Sequence, residues 1–160
     1  MQLPRTEFRT RCLRPDDARF VAHVAASSRG FTVPAPYVIW MLSRTQRGLC
    51  HIAVNRAGKS VGYVLAFRTT RRTEVFVWQL GLIHGKAREM LGAAMCLCRA
   101  LLATARRADY SRASFTTLPE NEGLITRVLR RFPSLSLTPC ARQGPSDGEQ
   151  LYVVKRRRTW

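Results

Sequence analysis

The sequence predicts one α/β domain, in which helices pack against a mixed sheet. Three observations point there. The 160 residues are 46% hydrophobic and 23% charged, a length and balance that build one core without metal or disulfide. The apolar period switches along the chain between two, the strand signature, and three to four, the helix signature. In the middle, a segment apolar on both faces, Glu74–Leu82, runs through a glycine into a long helical stretch, which reads as a crossover in a sheet.

Each element has its own signal. Phe8–Leu13 alternates weakly and reads as a first strand. Arg14-Pro15-Asp16-Asp17 starts a helix, with proline in the first turn and acids at the positive end of the dipole. Phe20, Val21 and Val24 are its stripe, which fades near Ser27–Gly30. Pro34-Ala35-Pro36 opens a second short helix through Tyr37, Trp40 and Met41. Cys50–Val54 and Val61–Phe67 form a hairpin about the turn Asn55–Lys59. After the basic turn Thr69–Thr73 comes Glu74–Leu82, a central strand. Gly85 to Arg88 then opens a long helix with Ala87, Leu91, Ala94, Cys98, Leu101 and Ala105 as its buried stripe.

Ala113–Thr117 is another strand, and Pro119 to Glu122 introduces a helix to about Arg131. Pro139–Gly148 reads as a loop and Gln150–Val154 as the last strand. The domain is expected over 1–154, with a basic tail over 155–160.

Composition narrows the function. Lys+Arg is 27 against 10 Asp+Glu, a net charge of +17, which attracts polyanions, acidic peptides or phosphorylated cofactors. The N-terminus lacks the apolar core of a signal peptide and no run is long enough to span a bilayer, so a cytoplasmic protein is expected. Cys12, Cys50, Cys96, Cys98 and Cys140 have no Cys-x-x-Cys spacing, and His23, His51 and His84 lie far apart. Reduced thiols and no metal site are the expectation.

Gly85-x-Ala87 at a helix start lets phosphate approach the backbone and the first-turn amides, with Lys86 and Arg88 adding charge. With its flanks, this junction resembles the GNAT superfamily of acyl-CoA-dependent N-acyltransferases. Within that superfamily the likeness is to the diaminobutyrate acetyltransferases of the ectoine type. Phe8–Asp17, the hairpin Cys50–Phe67, Val75-Phe-Val-Trp-Gln79 and Leu118-Pro-Glu-Asn-Glu122 carry the resemblance. It departs in two places. The superfamily's Gln/Arg-x-x-Gly-x-Gly/Ala loop stands here as Leu82-Ile83-His84-Gly85-Lys86-Ala87, in a shortened arm, and the substrate segment Asp-x-Asn-Ser-x-Tyr stands as Thr32–Tyr37, with only Tyr37 kept.

The resemblance implies a GNAT-like, mostly antiparallel sheet with acyl-CoA as co-substrate. Its pyrophosphate would lie on Gly85, Lys86, Ala87 and Arg88, its pantetheine arm on Leu80 and Leu82, with Asn121 at the next helix. Tyr37, Trp78 and Thr116 would hold the acceptor. N-acylation needs a neutral amine, whose ordinary pKa of about 10.4 calls for a base. Glu74 is expected to be that base, on one face with Phe76 and Trp78 by strand alternation.

The acceptor expected is a primary amine: a free diamino acid, or a Lys or ornithine side chain in an acidic precursor peptide, as in maturases of ribosomal lipopeptides that use a fatty-acyl donor. The positive charge and the lost substrate acids favour the peptide. A non-catalytic basic module binding nucleic acid or an acidic protein is the alternative. A monomer and a homodimer both stay open.

Overall fold

A computed structural model describes residues 7–143 and 148–156. Strands β1 (Phe8–Cys12), β2 (His51–Asn55), β3 (Ser60–Arg68), β4 (Glu74–Leu82), β5 (Arg112–Thr117), β6 (Leu135–Gln143) and β7 (Gln150–Arg156) form one sheet of order β1-β2-β3-β4-β5-β7-β6. All neighbouring pairs are antiparallel except β4 and β5, which are parallel and joined by the crossover helix α3 (Ala87–Arg107). Helices α1 (Ala18–Ala26) and α2 (Pro36–Thr45) cover one face. Helices α3 and α4 (Glu122–Leu129) cover the other.

Strand alternation in β3 sorts the core. Tyr63 and Leu65 point to the α1–α2 side with Val21, Ile39 and Ile52. Val64 points to the α3–α4 side with Ala93, Leu97 and Val128. Each large apolar side chain buried this way contributes roughly 1.5–3 kcal/mol.

Four expectations change. Leu135–Gln143 is a strand, paired with β7 and outermost in the sheet, although a loop was expected from Pro139 onward. Pro139 is tolerated because β6 is an edge strand whose register shifts between Pro139 and Gln143. Lys155 and Arg156 belong to β7 rather than to a tail, and 157–160 lie outside the described residues. In α3, Ala93, Ala94 and Leu97 are fully buried, while Ala87 is exposed, because the helix begins beyond the end of the sheet.

The fourth concerns β4. Leu65 pairs with Gln79 but Ala66 with Val77, so Trp78 is an extra residue in a bulge. Simple alternation would put Glu74, Phe76, Leu80 and Leu82 on one face. The bulge leaves Glu74 and Phe76 on the α1–α2 side and turns Leu80 and Leu82, opposite Val64 and Gly62, toward α3.

Candidate functional site

The parallel pairing of β4 with β5 lasts only through Glu74↔Arg112, Val75↔Ala113 and Phe76↔Ser114. Beyond it, β4 keeps its partner β3 up to Leu82 and β5 keeps its partner β7 up to Thr117. Each half of the sheet thus follows its own outer neighbour, and the bulge at Trp78 bends β4 away. The strands splay within β4. From Val77 onward β4 presents backbone groups on this edge without a strand partner.

The splay opens a cavity of about 480 Å³. One mouth lies on the α1–α2 side, at Ser27–Phe31, Trp78, Gln79 and Glu120. The other lies at His84 and Met90 beside the start of α3, with Leu80, Leu82 and Asn121 between. The cavity passes through the sheet.

Glu74 clasps the closed end. Ser114 Oγ donates to its Oε1 at 2.9 Å, and its Oε2 lies 3.7 Å from Arg71 and 3.8 Å from Arg112. It does not line the cavity. At about 3.3 Å a residue, Leu80 stands roughly 20 Å further along the strand, whereas a base must come within hydrogen-bond reach or one water of its proton. In this structure the Glu74 carboxylate holds β5 to β4 where the splay begins, away from the cavity lining.

The mouth on the α1–α2 side is shaped by a buried hydrogen-bonded chain. Tyr63 Oη donates to Gln79 Oε1 at 2.9 Å, and Gln79 Nε2 donates to the Thr32 carbonyl at 2.7 Å. This ties the loop between α1 and α2 to the centre of the sheet. Burial drives the Tyr63 phenol far above its ordinary pKa, so it stays a neutral donor. Arg29 Nη1 meets Glu120 Oε2 at 3.2 Å across the mouth. Among the described residues lining the cavity, Glu120 carries the one carboxylate.

Beside the other mouth, residues 83–89 are exposed, and of these only His84 lines the cavity; Gly85, Lys86, Ala87 and Arg88 stand outside it. The N-cap of α3, Lys86, makes no side-chain capping bond, and the Glu89 N–H donates to the Lys86 carbonyl at 2.9 Å, so the Ala87 and Arg88 amides are left to a ligand or water. A Cβ built on Gly85 would meet only Glu89 Oε2, at 3.4 Å. This is a cradle with small residues, a dipole and two cations, as phosphate requires. Glu89 is the one discordant charge.

The remaining candidates divide. Trp78 and Thr116 line the cavity on its α1–α2 side, and Leu80, Leu82 and Asn121 its middle. Asn121 sits at the N-cap of α4 without a capping bond, its Nδ2 donating instead to Thr117 Oγ1 at 3.3 Å. Tyr37 is the exception. It is 68% exposed, stacked on Trp40 at 5.7 Å, and does not line the cavity. Being at the start of α2, it falls on that helix's outer face.

Sequence reasoning missed Gln79, Tyr63 and Glu120. Gln79 was visible as a polar residue inside an otherwise apolar strand, the kind of position that requires a buried partner. Among the described residues no group of three His, Cys, Asp or Glu could hold a metal ion, and no helix is long and apolar enough to cross a membrane.

No family model matches the sequence. A curated relative, the L-2,4-diaminobutyric acid acetyltransferase of Halomonas elongata, is 25% identical over 122 residues, 74% of this chain and 62% of the relative. The match thus spans less than two thirds of that protein. Diaminobutyrate acetyltransferase EctA from Paenibacillus lautus, solved with L-2,4-diaminobutyric acid and coenzyme A, superposes with a TM-score of 0.70 at 21% identity, over 95% of this chain and 96% of that one. The chain has the GNAT fold. The NatC complex bound to Gag peptide and CoA contains a chain with TM-score 0.72 at 13% identity, covering 94% of this chain and 98% of that one. A structure bound to a small amine and one bound to a peptide therefore both share this fold.

Proposed function

We propose that this GNAT-fold chain is an acyl-CoA-dependent N-acyltransferase acting on a primary amine. The observation that carries the reading is the through-cavity at the splay, with an uncapped helix start beside one mouth and a carboxylate at the other. Acyl-CoA would supply the activated acyl group. Gly85 to Arg88 would hold its pyrophosphate, the freed edge of β4 from Leu80 to Leu82 its pantetheine arm, and Asn121 would add a contact from α4. The relatives solved with coenzyme A support this placement.

On the acceptor side, Trp78 and Thr116 wall the amine, and the Tyr63–Gln79–Thr32 chain fixes the loop above it. Glu120 takes the amine's proton, directly or through one water. The acceptor we favour is a Lys or ornithine side chain in an acidic peptide, as for the maturation of a ribosomal peptide. The net charge of +17 supports it, since such a field steers an acidic chain in and repels a free cationic diamine. Free thiols at all five cysteines fit a cytoplasmic location.

Thiol release from acyl-CoA tests both parts. Free diaminobutyrate, ornithine and lysine are compared with an acidic peptide carrying one Lys, at two salt concentrations. The expected result is higher kcat/KM for the peptide, falling steeply with salt. No amine-dependent thiol release with any acceptor or donor contradicts the acyltransferase reading. A free diamino acid that wins at both salts contradicts only the peptide acceptor.

A further inference from the structure

Between its two mouths the cavity has a branch that neither the phosphates nor the acceptor would use. It runs beneath the sheet along α3, away from the helix start that holds Gly85–Arg88. Its floor is one stripe of α3, Met90, Ala94, Cys98, Leu101 and Ala105. Those residues span about 22 Å of helix axis at 1.5 Å a residue. Its roof is the α3-facing side of β4, Leu80, Val77 and Val75, with Ala113 of β5. Val128 and Leu129 of α4 wall one flank. Leu49, Tyr110, Ser111, Arg112 and Arg156 line its far end.

Three features say what could occupy it. Short of Tyr110, Ser111, Arg112 and Arg156 the walls are hydrocarbon, so water there would lack the two or more polar partners that hold an internal water. The Cys98 thiol, pushed up to about 12 by burial, is a neutral apolar wall group. The space exists because Ala94, Cys98, Ala105 and Ala113 are small where larger side chains would close it. A natural core rarely tolerates an unfilled void of this extent. The branch also opens toward Leu80, where β4 loses its strand partner. An apolar group anchored there can enter it without crossing water.

We propose that the branch is a binding site for the hydrocarbon tail of the acyl donor, so that the chain transfers a medium- or long-chain acyl group and not acetyl. This rests on the N-acyltransferase reading. With the head group held at Gly85–Arg88, the carbonyl lies at the splay and the tail turns back beneath the sheet toward Ala105. Chain length is then limited by how far the tail reaches before Leu49 and Tyr110.

Titration calorimetry of the whole chain with CoA, acetyl-CoA, octanoyl-CoA and dodecanoyl-CoA reads the site without needing the acceptor. Affinity should rise from acetyl to octanoyl, by up to about fourfold for each methylene that becomes buried. Ala105→Phe, placed at the deep end, should remove most of the dodecanoyl advantage and leave acetyl-CoA binding and the melting temperature unchanged. Equal affinity for all acyl lengths overturns the inference while leaving the acyltransferase reading intact. Failure to bind CoA in any form overturns both. A dodecanoyl advantage that Ala105→Phe leaves untouched, in a variant that still binds acetyl-CoA, places the tail elsewhere and overturns the assignment. Should Ala105→Phe not fold, the length series on the native chain still decides whether a tail is bound, and Cys98→Met tests the branch instead.

Discussion

Tyr63 and Gln79, on adjacent strands, are joined by a 2.9 Å hydrogen bond from the phenol to the amide oxygen, in a part of the sheet closed to water. The room for that ring comes from Gly81, whose added Cβ would lie 2.5 Å from Tyr63 Cε1. One glycine, one tyrosine and one glutamine therefore set the shape of the acceptor mouth.

Tyr63→Phe keeps the ring and removes the donor, leaving the Gln79 oxygen buried without its partner. A loss of about 1–3 kcal/mol is expected, read as a lower urea midpoint with unchanged slope. Gly81→Ala should cost at least as much, roughly 1–3 kcal/mol from overpacking. Combined with Tyr63→Leu, its penalty should shrink, because the two positions share one space. Additive losses would show that they do not couple.

Glu89 faces the presumed phosphate cradle with the wrong sign for a ligand but the right sign for the helix. Glu89→Gln should weaken α3 slightly and tighten CoA binding by about two- to fivefold, from an interaction of roughly 0.3–1 kcal/mol. The gain should fade in high salt. Titration in low and high salt measures it, and unchanged affinity in low salt would remove the phosphates from this turn.

Glu74 and Glu120 should separate cleanly. Glu74→Gln keeps an acceptor for Ser114 but loses the charge facing Arg71 and Arg112, so stability falls while the pH profile of kcat keeps its shape. Glu120→Gln should lower kcat with little loss of stability, and the loss should shrink as pH rises and the amine deprotonates unaided. A pH profile altered by Glu74→Gln and not by Glu120→Gln would restore Glu74 as the base.

His51 is buried, with Nε2 donating to the Gly48 carbonyl at 3.0 Å. Burial is the main cause holding its pKa below the ordinary 6.5, and it outweighs the hydrogen bond, which acts the other way. The unfolded chain therefore binds this proton more readily than the folded one. The stability this represents is present above about pH 6.5 and is lost as pH falls toward the lowered folded value. Melting temperatures from pH 7.5 to 5 should decline, with a shallower decline in His51→Gln. Equal slopes would exclude His51 as the source.

Much of this fold is legible as period and punctuation. Pro15 and Pro36 mark helix starts, and the change to alternation at Cys50 marks the hairpin. The Gly85 junction marks the crossover. Strand β6 escaped because Pro139 and the glycines after it suggest a loop, although Leu135-Ser-Leu137-Thr does alternate. Proline excludes a central strand, not an edge strand. The site was harder to read. Where β4 and β5 part depends on the outer partners each strand keeps, which no local pattern records. Glu74 therefore stands at the paired end of β4 and not along the cavity, and the bulge at Trp78 broke the alternation used to assign faces.

The most direct test of the account is a titration of CoA into the native chain and into Gly85→Val. Gly85 does not have a left-handed backbone, and its Cβ position is open except toward the flexible end of Glu89. The substitution should leave the fold and melting temperature intact while blocking backbone approach. The account predicts one CoA site on the native chain and a loss of affinity of about tenfold or more in the variant. A native chain that takes up no CoA, or a folded variant that binds it equally well, would contradict it.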